Sequence, residues 1–132
     1  MKKLLALLAF ALAFSLPAHA GDVKVKAAVA VDGNTRPATS FPSSTPQLMV
    51  FILTEGTEKG DKVRLEWIAE DTNGAAPANY KISSSAYAGD KDNFGGGGSL
   101  SKPNSGWPVG KYRVDIYIDD ELEGTTKFQI TK

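Results

Sequence analysis

Apolar and polar residues alternate at every second position along three long stretches of the chain. Residues 23–31 place valine or alanine at each odd position, with lysines beginning the opposite face. Residues 62–69 and 111–118 repeat this period, again with many β-branched or aromatic side chains. A period of two is typical of a strand with one face in a core. Each stretch therefore predicts a half-buried β-strand.

The same alternation predicts which side each residue of these strands faces. Trp67 and Tyr112 fall in the inward sets of their strands. Ile68 and Tyr117 fall in the outward sets, although both are large and apolar or aromatic. If the two strands are neighbours, Ile68 and Tyr117 are expected to form part of an exposed apolar patch.

Three further strands are predicted on different grounds. Residues 47–54 contain an unbroken apolar run, 48–53, which fits a strand covered on both faces or one that contributes to a ligand or partner surface. Residues 80–87 alternate but are more polar, as near a sheet edge. Residues 124–130 follow an acidic turn and are expected to form a hairpin with the strand before them.

Proline and glycine mark the connections between these strands. Residues 35–46 contain three prolines and predict an irregular connection, and residues 88–98 predict a long loop that ends in Gly95–Gly98. Residues 99–102 complete a count of about seven strands, and no stretch of the mature chain has helical periodicity. The fold class predicted is all-β, a single antiparallel β-sandwich, with a small barrel as the alternative.

The first twenty residues have the three parts of a signal peptide. Lys2 and Lys3 precede the apolar run 4–16, and Ala18-His19-Ala20 supplies the small residues required for cleavage. The run is shorter than the roughly 20 residues that span a bilayer. Residues 1–20 therefore predict a helical signal peptide, and residues 21–132 a single domain, periplasmic or secreted, with no membrane span after cleavage.

Loss of this segment changes the chemistry available to the chain. Removing two lysines from fifteen basic residues leaves thirteen against fifteen acidic ones, a net charge of −2. No basic patch remains to hold phosphates, so nucleic acid is not an expected partner. His19 is the single histidine and there is no cysteine. Without imidazole or thiolate, we expect no catalysis, no cofactor and no metal site.

The closing stretch 106–130 resembles the last two strands of immunoglobulin-like and fibronectin-type sandwiches. The match lies in Pro108, Gly110 and Tyr112, which have the spacing of a Pro-x-Gly-x-Tyr segment before an alternating strand. The resemblance implies that Tyr112 forms a tyrosine corner, its hydroxyl bonding backbone a few residues upstream. It also implies that Trp67 is the buried core tryptophan of such folds.

More of the chain is similar to small uncharacterised exported bacterial proteins that contain an immunoglobulin-like domain. Their shared pattern is a Phe-Pro segment, an apolar strand, a Trp-bearing strand and a closing Gly-Trp-Pro-x-Gly-x-Tyr hairpin. The matching residues are Phe41, Pro42, Trp67, Gly106, Trp107, Pro108, Gly110 and Tyr112. All of them are fold residues, so the resemblance implies a fold and carries over no catalytic residue.

Three acidic or glycine-rich features suggest sites but have simpler interpretations. Residues 90–93, Asp-Lys-Asp-Asn, lack the oxygen ligands of a calcium loop at the required later positions and fit a solvated loop better. The glycine run lacks the Lys-Ser/Thr ending of a phosphate loop and fits a mobile loop. Glu66 and Glu70 lie close in sequence but carry no mark of a glycosidase pair.

Trp107 is the most open of the candidate binding residues. It lies in a turn rich in proline and glycine, where an exposed aromatic ring would bind a sugar or anchor a protein interface. Alternatively, it folds back as a lid over one end of the core. We predict a non-enzymatic interaction module for an envelope or extracellular protein; the alternative is carbohydrate or small-ligand binding through Trp107 and adjacent loops.

Overall fold

The computed structural model describes residues 23–31 and 37–132, and the predicted signal peptide lies outside the described residues. This part of the chain contains no helix and forms eight strands, against about seven predicted. The strands are β1 (Lys24–Val31), β2 (Ser40–Pro42), β3 (Gln47–Glu55), β4 (Lys62–Asp71), β5 (Tyr80–Ala88), β6 (Gly95–Ser101), β7 (Gly110–Ile118) and β8 (Glu121–Thr131).

The strands form two sheets that pack as a sandwich. The smaller sheet has the order β1-β3-β6, and the larger has the order β2-β8-β7-β4-β5. β5 lies at an edge, as its polar sequence predicts, and β7 and β8 form the predicted hairpin. Within the described residues, the pairing of β2 with β8 is the one parallel pairing. The antiparallel sandwich is therefore confirmed except for β2, which lies in the connection predicted to be irregular.

The glycine run is a strand, so the prediction of a mobile loop for Gly95–Gly98 is wrong. These glycines form β6 together with the short strand predicted at 99–102, and they pair with β3 in continuous register. The buried ring of Phe94 anchors the start of β6, and its carbonyl oxygen accepts a 3.0 Å hydrogen bond from the Thr54 amide. Strand pairing uses only backbone groups, so β6 forms although its sequence lacks a side-chain pattern.

Alternate residues of both sheets meet in one core. On β3, Leu48, Val50 and Ile52 face the larger sheet and are almost completely buried. The aromatic part of this core is centred on Phe128, which stacks on Tyr112 at 5.3 Å between ring centroids and meets Trp67 edge-on at 6.1 Å. The core position that the resemblance implies for Trp67 is therefore confirmed.

The corner before β7 has the geometry that the resemblance implies. The Tyr112 hydroxyl donates a 2.5 Å hydrogen bond to the carbonyl oxygen of Pro108, four residues upstream. Burial of the phenol raises the pKa of Tyr112 to about 12. Gly110 lies so close to the backbone of Asp71 that a Cβ there would overlap the Asp71 carbonyl oxygen. Tyr112, Pro108 and Gly110 thus fix the turn that leads into β7.

Candidate functional site

Trp107 is buried, which contradicts the exposed binding role that is one of its two predicted alternatives. Its side chain is 3% exposed, and the indole N–H donates a 2.7 Å hydrogen bond to the carbonyl oxygen of Thr45. Its backbone N–H bonds Ser43, and its ring meets Tyr112 edge-on at 6.5 Å. These bonds turn the indole inward, which confirms the alternative interpretation of Trp107 as a lid on the core.

Ile68 and Tyr117 lie on the neighbouring strands β4 and β7 but do not form an exposed apolar patch. Ile68 is only 5% exposed, so the prediction of exposure is wrong. Its cross-strand neighbours are Lys81 and Arg113, residue types whose aliphatic stems cover apolar surface. Tyr117 is half-buried under the guanidinium of Arg64, whose central carbon lies 4.1 Å from the ring centroid.

The outer face of the larger sheet is instead a network of ion pairs, which we call the charged face. Arg64 pairs with Glu66 at 3.0 Å, and Lys81 approaches the same carboxylate at 3.4 Å. Arg113 pairs with the buried Asp115 at 3.1 Å and with Glu70. The members of the charged face are Arg64, Glu66, Glu70, Lys81, Arg113, Asp115, Tyr117, Asp120 and Lys127.

The two glutamates considered for glycoside hydrolysis belong to different parts of the charged face. Glu66 accepts its contacts from Arg64 and Lys81, whereas Glu70 accepts them from Arg113 and Lys127. Burial lowers the pKa of Arg113, but hydrogen bonds to the carboxylates outweigh it and the net shift is upward. Each glutamate therefore has the surroundings of an ion-pair partner.

Side chains of the acidic segment 90–93, before β6, accept hydrogen bonds from backbone amides. The Asp92 carboxylate accepts a 2.9 Å hydrogen bond from the Lys59 amide, and the Asn93 side-chain oxygen accepts one of 2.8 Å from the Gly56 amide. These contacts tie the segment to the turn between β3 and β4. No cluster of three or more acidic, histidine or cysteine side chains suited to a metal occurs within residues 23–31 and 37–132.

The outer face of the smaller sheet carries a row of large apolar side chains, which we call the apolar face. Met49 and Phe51 are half-buried, and Leu53 is 67% exposed. Small residues flank most of this row: Ala30 and Ser99 lie opposite Met49, and Ala28 and Gly97 lie opposite Phe51. Leu53 has Gly95 on one side and the charged Lys26 on the other.

The flanking glycines leave open space beside the apolar row. A groove of about 670 Å³ lies over β3 and β6, and its lining extends from Met49 to Leu53 and from Gly96 to Ser99. The apolar face was partly foreseen in the unbroken apolar run 48–53. The groove was missed, because it depends on β6 being a strand.

A second, smaller cleft lies beside Trp107. It has a volume of about 160 Å³, and aromatic, aliphatic and proline side chains line it almost entirely. Tyr80 is half exposed at its rim, and the Thr72 hydroxyl accepts a hydrogen bond from the Ala76 amide. Such a cleft suits an apolar group and offers few partners for sugar hydroxyls.

Solved structures resemble this geometry over most of the chain. An immunoglobulin-like protein from Pseudomonas aeruginosa matches 84% of this chain and 93% of its own length, with a TM-score of 0.51 and 13% sequence identity. The fold is immunoglobulin-like. At that identity the match concerns the immunoglobulin-like fold alone.

A second similar structure belongs to a larger protein. The alkylpurine DNA glycosylase AlkC of Pseudomonas fluorescens, bound to DNA, matches 83% of this chain with a TM-score of 0.53 and 11% identity. This chain spans only 30% of the length of AlkC. No protein-family model matches the chain, and no curated protein sequence matches it. No helix within the described residues is long and apolar enough to cross a membrane.

Proposed function

We propose that this protein is a non-enzymatic interaction module of the periplasm or extracellular space that binds an envelope or extracellular protein. Its binding surface is the apolar face of the smaller sheet. The signal-peptide pattern of residues 1–20 supports export. We also propose that the protein belongs with the small exported bacterial immunoglobulin-like proteins that it resembles in sequence.

The observation that carries this proposal is the exposure of Leu53 in line with Phe51 and Met49. Leu53 keeps 67% of its surface in contact with solvent, beside a groove wide enough to accept further side chains. Contiguous apolar surface of this kind typically marks a site of contact with another protein. Burying one such leucine side chain on a partner would contribute about 2 kcal/mol.

Side-chain chemistry supports the absence of enzymatic activity. After loss of His19 the sequence has neither histidine nor cysteine, so a catalytic site would depend on carboxylates, lysines or hydroxyls. Glu66 and Glu70, the two carboxylates considered for glycoside hydrolysis, each contact two cations. These contacts support a structural role for both.

The surroundings of Trp107 bear on the choice between a protein and a sugar as ligand. Sugar sites present an exposed aromatic ring together with polar groups. Trp107 is buried with its indole N–H bonded to Thr45, and the cleft beside it is lined with apolar groups. These features favour a protein partner over the carbohydrate alternative.

A pair of leucine substitutions tests the proposal. Leu53→Asp places a charge on the apolar face, and Leu122→Asp places the same charge at a 54% exposed leucine at the start of β8. The mature protein and both variants are immobilised and used to capture proteins from an envelope extract. We expect a stoichiometric partner with the mature protein and with Leu122→Asp, and its loss with Leu53→Asp. Equal capture by both variants, or no stoichiometric partner, would contradict the proposal.

A further inference from the structure

The outer edge of β6 presents backbone hydrogen-bonding groups to solvent. At the two ends of the β3–β6 ladder, the Thr54 amide donates a hydrogen bond to the Phe94 carbonyl oxygen, and the Lys102 amide donates one to the Pro46 carbonyl oxygen. Both are pairs of even-numbered residues, and antiparallel hydrogen-bonded pairs recur at every second residue. The odd-numbered residues from Gly95 to Ser101 therefore direct their N–H and C=O groups away from β3. No strand of the described residues pairs with this edge.

β6 lacks the features by which proteins usually protect a sheet edge. Its sequence GGGGSLS has no charged residue and no proline, and its register with β3 is unbroken over seven residues. The other edges are protected, because β5 carries Lys81 and a register shift, β2 has three residues, and β1 is bridged at Val29 by Ala38. The edge of β6 is thus the most open to a new strand.

The open edge lies next to the groove of the apolar face. Gly95 and Gly97 present no side chain that would separate the edge from Leu53 and Phe51 across the ladder. A strand added to β6 would place every second side chain on the groove side. Large apolar side chains at those positions would pass over the glycines and contact Phe51.

We propose that β6 accepts an extended segment of a partner protein as a fourth strand of the smaller sheet. The segment carries large apolar side chains at alternate positions and is uncharged over the seven residues that pair, matching the uncharged edge. Backbone hydrogen bonds supply affinity, and the groove selects the apolar side chains. This inference rests on the proposed function and names the partner chemistry and the mode of binding.

A second copy of this chain fits the edge less well than a different partner does. Two copies of β6 would pair backbone to backbone, but glycine and serine would face the groove on both sides and leave it unfilled. A standard interface buries about 1,600 Å² in total, more than one pair of short glycine strands supplies. Lys102 follows the edge directly, so an acidic residue at that end of the partner segment would complement its charge.

Substitutions of Ser99 test the outer edge of β6 without removing the hydrogen bonds between β6 and β3. Ser99 is exposed and is one of the residues whose N–H points outward. Ser99→Pro removes this N–H without removing a bond to β3, and proline is tolerated on edge strands in that orientation. Ser99→Ala is the matched control, because it removes the same hydroxyl and its 3.2 Å bond from Gln47 but keeps the N–H.

The probe is a synthetic ten-residue peptide in which leucine and serine alternate, titrated into the full mature protein by calorimetry. Two further versions carry N-methyl groups, one on the leucines and one on the serines. In a paired strand only every second backbone N–H faces β6, so only one of the two N-methylated versions loses hydrogen bonds to β6. In an antiparallel pair, the residues whose N–H groups face β6 have their side chains on the groove side. A version with scrambled leucines and serines controls for composition.

We expect the alternating peptide to bind the mature protein and Ser99→Ala equally, and Ser99→Pro at least tenfold more weakly. One N-methylated version should lose at least tenfold while the other stays within about threefold. The inference is overturned if both N-methylated peptides bind alike, if the scrambled peptide binds as well, or if no peptide binds. Concentration-dependent dimers that Ser99→Pro abolishes would also overturn it, since the occupant would then be a second copy.

The variants distinguish failure of this inference from failure of the proposed function. If the envelope partner is lost with Leu53→Asp but retained by Ser99→Pro, the apolar face binds without an added strand. The proposed function then stands and the inference fails. If both variants retain every captured protein, the proposed function fails as well.

Discussion

The outer faces of the two sheets differ in how many contacts their side chains make within the chain. On the charged face, Glu66 and Glu70 each contact two cations, and Arg64 also covers the ring of Tyr117. On the apolar face, Leu53 is left exposed beside an open groove. The charged face has its partners within the chain. The apolar face gains most from a partner outside it, and for that reason we place the binding surface there.

The largest expected effect concerns the glycines that shape the apolar face. A Cβ on Gly97 would overlap the carbonyl oxygen of Val50, whereas a Cβ on Gly98 would meet a movable methyl group of Leu65 at 3.2 Å. Gly97→Ala should therefore destabilise the domain by about 3 kcal/mol, and Gly98→Ala by less than about 1 kcal/mol. Urea unfolding followed by tryptophan fluorescence measures both. Equal losses would show that β6 is not held close to β3.

The next effect in size concerns the ion pairs that hold the charged face together. Asp115 is buried and accepts hydrogen bonds from Arg113 and Thr125, whereas Asp120 pairs with Arg64 at the exposed turn between β7 and β8. Asp115→Ala should cost about 2 kcal/mol, and Asp120→Ala less than about 0.5 kcal/mol. Thermal unfolding of both variants checks this order, and a larger loss from Asp120→Ala would refute it.

A smaller effect is expected at the tyrosine corner, in the connection from β6 to β7. Tyr112→Phe removes the hydrogen bond to Pro108 and should cost about 1 kcal/mol at neutral pH. Because the folded-state pKa of Tyr112 is raised from 10.0 to about 12, its stabilising effect is complete below pH 10 and is lost as pH rises toward 12. Unfolding measured from pH 8 to 12 should show the gap between the two proteins narrowing. A constant gap would contradict the assignment.

The smallest effect is expected on the apolar face itself. Leu53→Asp should change the free energy of unfolding by no more than about 0.5 kcal/mol, because the leucine is already largely exposed. Loss of partner capture by Leu53→Asp would then result from the changed binding surface and not from unfolding of the domain. Chemical unfolding of Leu53→Asp beside Leu122→Asp tests this point. A loss above about 2 kcal/mol would mean that Leu53 supports the core.

The strands that carry a side-chain pattern could be predicted closely from the sequence. Residues 62–69 and 111–118 lie within β4 and β7, and the tyrosine corner at Tyr112 forms as the resemblance implies. Local alternation and turn residues decide these features, and both are visible in a single sequence. The β-sandwich followed from them.

The candidate site could not be predicted, because it depends on what lies across the sheets. Alternation places Ile68 outward, but only the register shows Lys81 and Arg113 beside it. The glycines of β6 have no pattern at all, so the open edge and its groove are visible only once β3 is known to pair with them. The inward turn of Trp107 likewise depends on Thr45, 62 residues earlier in the chain.

The parallel pairing of β2 with β8 has a consequence for the order of folding. It joins Ser40 to Gln129 and Pro42 to Thr131, across nearly ninety residues, and β8 also supplies Phe128 to the aromatic centre. Closing so long a loop is slow, and contacts of this separation typically form late. A nascent chain that has not yet exposed β8 therefore lacks both the pairing partner of β2 and the middle of its core, and the native state cannot form before β8 is available.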